Sequence, residues 1–178
     1  MIHTLLNSLA DQMNEFLLSY YSRAEVMVEV GVIEPTSDEE SSDKIILSVL
    51  NIQRETSMGI SNPYLKTDSA RLSKKSSPWF LNIDFLVAAV FAPKGYGESL
   101  KVLSDCISFL QQNSTIRLPE GQKITLEPVT LGTQELSNVW SILGGHYYPS
   151  VLCKARMLAF DGTEIKQTAR RITKPDIQ

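Results

Sequence analysis

The chain has 178 residues, of which 43% are apolar and 21% charged, and its net charge is −3. This is an ordinary globular balance and a one-domain length, enough to bury roughly 70% of the unfolded surface. The small negative charge implies no general attraction to nucleic acid or anionic lipid. The two cysteines, Cys106 and Cys153, lie in apolar patterns and fit reduced structural thiols at least as well as a single bridge. The first residues lack a basic n-region, and Asn7, Asp11 and Glu15 interrupt any apolar run, so no signal peptide is read there. No stretch approaches the roughly 18 apolar residues of a membrane span, and synthesis and folding in the cytoplasm are expected.

In chain order, Ile2, Leu5, Leu6, Leu9, Met13, Phe16, Leu17 and Tyr20 recur at helical spacing and predict an amphipathic first helix. The β-branched run Val26 to Ile33 reads as a strand. Glu34 to Asp43 is acidic and turn-rich, a loop, and Lys44 to Glu55 is a longer strand covered on both sides near its start. The two strands fit a hairpin with a long tip. Arg54 to Pro78 is polar and without a sustained period, a long loop of the kind that is functional or disordered. Trp79, Leu81, Ile83, Phe85, Val87, Ala89 and Phe91 then alternate strictly with the mixed set Phe80, Asn82, Asp84 and Leu86, a strong strand signal bounded by Pro78 and Pro93.

Gly97 to Gln112 is a helix with Leu100, Leu103, Ile107 and Leu110 on its buried stripe and Cys106 beside it. Lys123 to Leu131 is a short strand, which Pro128 ends, bulges or confines to an edge. Thr133 caps a helix, Gln134 to Leu143, that buries Leu136, Val139, Trp140 and Leu143, and Gly144 and Gly145 stop it. Val151, Cys153, Ala155, Met157 and Ala159 form one face of a final strand, with Lys154 and Arg156 on the other. A turn at Asp161 and Gly162 leads into a basic tail carrying Lys166, Arg170, Arg171 and Lys174. The order predicts an α/β (α+β) domain over 1–160, with one mixed, largely antiparallel sheet of about five strands and flanking helices, followed by an extended basic arm over 161–178.

Catalytic motifs are sparse. There is no G-x-S-x-G elbow and no phosphate-cradling loop; Gly95 and Gly97 after a strand are read as a turn. His3 and His146 are the only histidines, so a zinc site lacks ligands. His146 beside Tyr147, Tyr148 and Ser150 is the one group that suits a general base and a nucleophile, and the competing reading is a helix-to-strand connection whose aromatics cover the core. Asp84, inside an alternating strand with no partner in view, reads as solvated or paired at the surface. The acidic segment 34–43 and the basic segment 66–75 are read as solvated loops whose opposite signs also permit contact between subunits.

The segment LSNVWSILGGHYYPSVLCKARM resembles the C-terminal part of the tail-terminator, or cap, proteins of contractile injection systems, the phage-tail-like particles of the antifeeding-prophage and virulence-cassette type. The N-terminal helix, the strand IILSVLNIQRE leading to a polar insertion with NPY, and the proline-led strand PWFLNIDFLVAAVF are similar to that family as well. The resemblance implies a phage tail-terminator-like fold and a structural, non-catalytic role without cofactor or metal. It implies a homo-hexameric ring that ends the inner tube, holds the last sheath ring, and allows a second cap paralogue. It implies sheath and inner tube proteins as partners, no nucleic acid, and a particle that is released or membrane-anchored after cytoplasmic assembly. Some relatives run longer past the position of Phe160, so a role needing a large further domain is not expected. In this reading Trp140 anchors the last helix, Gly144 and Gly145 release the chain, and Tyr148 and Pro149 fix its entry into the final strand. The arm's Lys166, Arg170, Arg171 and Lys174 dock on a neighbouring subunit. The alternatives are a small cytosolic binding adaptor, or an enzyme using His146, Tyr147 and Ser150.

Overall fold

A computed structural model describes residues 1–21, 27–34, 43–56, 64–68, 71–75, 78–160 and 165–170; in 64–68, 71–75 and 165–170 it describes the backbone. The elements are α1 (Ile2–Leu18), β1 (Val28–Val30), β2 (Lys44–Arg54), β3 (Tyr64–Asp68), β4 (Arg71–Lys75), β5 (Trp79–Val90), α2 (Tyr96–Gln112), β6 (Thr115–Arg117), β7 (Lys123–Val129), α3 (Thr133–Ile142), β8 (Ser150–Phe160) and β9 (Ile165–Arg170). Six strands form a mixed sheet in the order β1-β2-β5-β8-β7-β6, and β3-β4-β9 form a second sheet. The expected α/β class is found, with six strands in the main sheet rather than about five. The sixth, β6, is only Thr-Ile-Arg, too short to show a period, although its Ile116 is buried in the core.

Two pairings differ from the sequence expectation. β1 runs parallel to β2, with Val28 opposite Ile45 and Val30 opposite Leu47, so the two do not form a hairpin. The connection from Gly31 to Asp43 has the reach for the crossover of a dozen or so residues that parallel pairing needs. Asn14 of α1 fixes the arrangement. Its Oδ1 accepts the Met27 and Val28 N–H at 3.0 and 2.9 Å, and its Nδ2 donates to the Val28 carbonyl at 2.9 Å. The polar segment read as a long loop holds β3 and β4, joined antiparallel by Leu65 opposite Ser73 and Lys66 opposite Leu72. β9, in the region read as an extended arm, pairs with β4 of its own chain, Leu72 opposite Ala169. Residues 35–42 of the acidic loop, Asn62 and Pro63 of the NPY motif, the turn at Asp161 and Gly162, and Arg171 and Lys174 lie outside the described residues.

α1 and α2 cover one face of the main sheet. Leu5, Leu9, Met13 and Leu17 of α1 and Val102, Cys106 and Phe109 of α2 meet Ile83, Phe85, Val87 and Ala89 of β5 in one core. On α2 the buried stripe is Ser99, Val102, Leu103, Cys106 and Phe109, whereas the predicted Leu100 and Ile107 are 41% and 43% exposed. The period was right and the phase was one residue off. Both stripes are apolar enough to serve. Phe109, edge-on to Phe16 of α1 at 5.5 Å, belongs to the chosen one, and the buried Ser99 satisfies its hydroxyl on the Tyr96 carbonyl.

Pro128 sits inside β7 opposite Cys153. The Leu126 N–H donates towards β6, to the Ser114 carbonyl at 2.8 Å. The Pro128 nitrogen, two residues on, faces the same way, beyond the last β6 pairing at Thr125, so its missing N–H costs no ladder bond.

Candidate assembly surfaces

The opposite face of the main sheet is divided in two. Along β5 it reads Asn82, Asp84, Leu86, Ala88, Val90: polar at one end, apolar at the other. α3 covers the apolar end.

The residue capping α3 is Gly132 rather than Thr133, and the Glu135 carboxylate accepts the Gly132 N–H at 2.8 Å. Its single fully buried residue is Trp140, 4% exposed, which packs on Ile33, Leu86, Ala88 and Val90; Leu136, Leu143 and Tyr148 are partly buried around it. Val139 is half-buried. The helix ends in a Schellman arrangement: the Gly145 N–H donates to the Trp140 carbonyl at 2.7 Å and the Gly144 N–H to the Ser141 carbonyl at 3.5 Å. Gly144 and Gly145 hold φ of +96° and +83°, the left-handed region that disfavours a Cβ. Tyr147 and Tyr148 return over the indole, at 5.5 and 6.0 Å between ring centroids. The buried Pro149 gives its carbonyl to the Ala89 N–H at 2.9 Å, which seats the start of β8 on β5.

Trp140, Gly144, Gly145, Tyr148 and Pro149 are thus consecutive parts of one helix-exit unit. The outer side of that unit is bare: Ile142 is 82% exposed and Tyr147 60%. The indole Nε1 is buried with no hydrogen-bond partner. His146 is exposed, and among the described residues no hydrogen bond joins it to Tyr147 or Ser150, as a base–nucleophile pair would need. Among the described residues there is also no group of three metal-ligating side chains.

The polar end of the same face holds a ladder that the sequence did not disclose. Asp84, expected near solvent, is 9% exposed, and Lys154 opposite it on β8 places Nζ 3.5 Å from Oδ1, an ion pair without hydrogen-bond geometry. Arg156 reaches Glu127 at 3.4 Å and Glu55 at 3.5 Å. The buried Asn82 donates to Glu55 at 2.9 Å and accepts the Met157 N–H at 3.2 Å. Met157 is the one non-glycine residue at positive φ, +69°, among the described residues. It lies where β8 carries an extra residue against β5, between the pairs Leu81–Leu158 and Ile83–Ala155. A left-handed bulge residue is normally glycine, and a side chain there costs about 1–2 kcal/mol. Asn82 on one side and Gln122, donating to the Met157 carbonyl at 3.0 Å, hold the bulge in place. The only legible signal was Asn82 and Asp84 interrupting an apolar strand.

The cysteines are structural. Burial pushes the thiols of Cys106 and Cys153 up to about 12 each, and Asp105 adds to this at Cys106. The Tyr21 phenol donates to Asp105 at 2.6 Å, tying the end of α1 to α2; burial first and then that carboxylate push it up to about 12. Of the arm residues, Lys166 and Arg170 fall on β9. Among the described residues no helix is long and apolar enough to cross a membrane.

This mixed sheet with two helices on one face and a single short helix on the other matches the folds of two solved terminator structures. The chain superposes over 100% of its length on the "PVC sheath/tube terminator in extended state" of an extracellular contractile injection system, with a TM-score of 0.71 and 16% identity, covering 62% of that chain. Over 94% of its length it matches the anti-feeding prophage cap, a "tube terminating cap", with a TM-score of 0.65 and 14% identity, covering 58% of that chain. It therefore spans less than two thirds of either. The family model described as the Pvc16 N-terminal domain matches residues 3–174, and the chain belongs to that family. No curated protein matches it.

Proposed function

We propose that the chain is a structural cap of a contractile injection system. Six copies form a ring that ends the inner tube and holds the last ring of the sheath, with sheath and tube proteins as partners. No reaction is assigned to it, and assembly takes place in the cytoplasm before the particle is released or anchored. The observation that carries this reading is the family match over 3–174 together with a terminator fold matched along the whole chain.

The geometry agrees with a ring former. A ring requires two different patches on each subunit that meet head to tail. The chain offers the bare outer side of the α3 unit, the open edge strand β1, and the small β3-β4-β9 sheet. Light scattering of the purified chain, alone and with its sheath and tube proteins, tests the reading when negative-stain images are taken of the same samples. A hexamer, or rings seen only on tube ends, is expected. A monomer that ignores both partners overturns it. The arm has its own test: removing 163–178 should weaken ring formation and capping, and unchanged capping removes the arm from the interface.

A further inference from the structure

β1 is an open sheet edge, and α1 lies beside it. Between them is a groove of about 590 Å³ lined by Asp11, Asn14, Glu15, Leu18, Glu29 and Val30. Within β1 the main-chain groups alternate in direction. The Met27 carbonyl and the Gly31 N–H bond to β2, so Val28 and Val30 face outward. Asn14 occupies both groups of Val28, and among the described residues no strand lies outside Val30. Val32, two residues further, is 75% exposed. The groove is electronegative. Asp11 and Glu15 are exposed on α1, the last turn of α1 has no basic residue, and the negative end of its dipole lies at Leu18. Among the described residues, Glu29 is paired, with Lys44, while Asp11 and Glu15 have no ion-pair partner.

The second sheet has the opposite character. β3, β4 and β9 carry Lys66, Arg71, Lys74, Lys75, Lys166 and Arg170 against the lone Asp68. Its register places Tyr64 opposite Lys74, Lys66 opposite Leu72, Leu72 opposite Ala169 and Lys74 opposite Gln167. A three-stranded sheet needs an apolar face or a packed partner to be stable, and these strands hold few large apolar residues. The two regions join the main sheet at opposite ends of its strands. β1 aligns with Ile45 and hence with Ala89 of β5, whereas β4 and β9 are tethered a few residues from Trp79 and Phe160, which pair with each other. From Ala89 to Trp79 is about 33 Å of extended strand.

We propose that the acidic groove between α1 and the edge of β1 receives the basic β3-β4-β9 sheet of a second copy of this chain. This rests on the ring reading above and names its two patches: unlike surfaces joined to opposite ends of the main strands, whose repetition closes head to tail. Charge complementarity selects the partner and the register, and the outward Val30 groups and the side chains of Leu18 and Val30 supply main-chain and apolar contact.

The test compares the wild-type chain with two full-length charge reversals, Asp11→Lys with Glu15→Lys, and Lys66→Glu with Lys74→Glu. Mass is measured by light scattering in low and high salt, alone and with tube and sheath proteins, after melting curves show that both variants fold. Each variant alone should associate at least about tenfold more weakly than wild type in low salt, since like charges then face each other. Mixing the two variants should restore association, which misfolded chains cannot do, and high salt should weaken the wild-type contact. If both variants assemble as the wild type does, the proposal falls while the ring stands. Weakened variants that mixing does not rescue also overturn it. A wild-type chain that stays monomeric with both partners overturns the ring and this contact together.

Discussion

The two faces of the main sheet are built to different standards. Under α1 and α2, every inward side chain of β5 from Ile83 to Ala89 is apolar and sealed, and the helices close over it with two long buried stripes. Under α3, the same strand presents Asn82 and Asp84 beside Leu86 and Ala88, the cover is one ten-residue helix, and an indole N–H is left without a partner. A sealed face yields stability and little else. The divided face has unmet polar groups, a strained bulge at Met157 and a bare aliphatic and aromatic rim at Ile142 and Tyr147, which are features that a bound neighbour can complete. The core under α1 and α2 is therefore the folding scaffold, and association is to be sought at the divided face and at the open β1 edge.

The largest effect that distinguishes the faces comes from their anchors. Phe85→Ala should cost about 3–5 kcal/mol and lower solubility, because it opens a cavity in the sealed core. Trp140→Ala should cost about 3 kcal/mol, the low end, because the unpartnered N–H leaves with the ring. Chemical denaturation measures both, and an equal or larger loss at Trp140 would mean that α3 is as much a part of the core as α1.

Next is the ladder. Lys154→Ala should cost about 2 kcal/mol by leaving Asp84 buried and unpaired, whereas replacing both Asp84 and Lys154 by Leu should cost less than the single change. A double variant weaker than the single would show that the pair contributes net stability. Gly144→Ala should cost about 1 kcal/mol from its positive φ, while Gly97→Ala, with open space around its Cβ position and no positive φ, should be near neutral. Equal effects in thermal melts would place the exit turn in another conformation.

The smallest effect is on the sealed face. The folded-state values of Cys106, Cys153 and Tyr21 are raised to about 12, so the unfolded chain gives up these protons first as pH rises. Their contribution is complete below about pH 9 and is lost between about 9 and 12. Melts of Cys106→Ala should show a flatter alkaline decline than the wild type, and an unchanged slope would rule out the buried thiol as its source.

Much of this architecture was legible in the sequence, and the parts that were not share a cause. Period identified α1, the strand from Trp79 and β8, because burial on one face imposes spacing, although in β8 the bulge at Met157 moves the buried face from Met157 and Ala159 to Leu158. Period did not fix phase on α2, where two apolar stripes lie side by side and Phe16 of α1 chooses between them. It missed β3, β4 and β9, whose sequences YLKTD, RLSKK and IKQTAR show no sustained apolar alternation. The helix-exit unit was legible because Gly-Gly after a helical period, then Tyr and Pro before a β-branched run, leaves the backbone few options. The ladder was not, since Glu55, Asn82, Glu127, Lys154 and Arg156 come from four separate segments.

By itself, then, the sequence determined the class, the six longest elements, the turn at Gly144 and Gly145, and the family resemblance, because these follow from local spacing and local backbone preference. Only the tertiary structure decided that β1 runs parallel to β2, that Asp84 is buried against Lys154, that the basic strands gather into a second sheet, and that an acidic groove lies beside an open edge. Those are facts about residues distant in the chain. Their pairing is settled when the sheet closes and each buried polar group must find a partner.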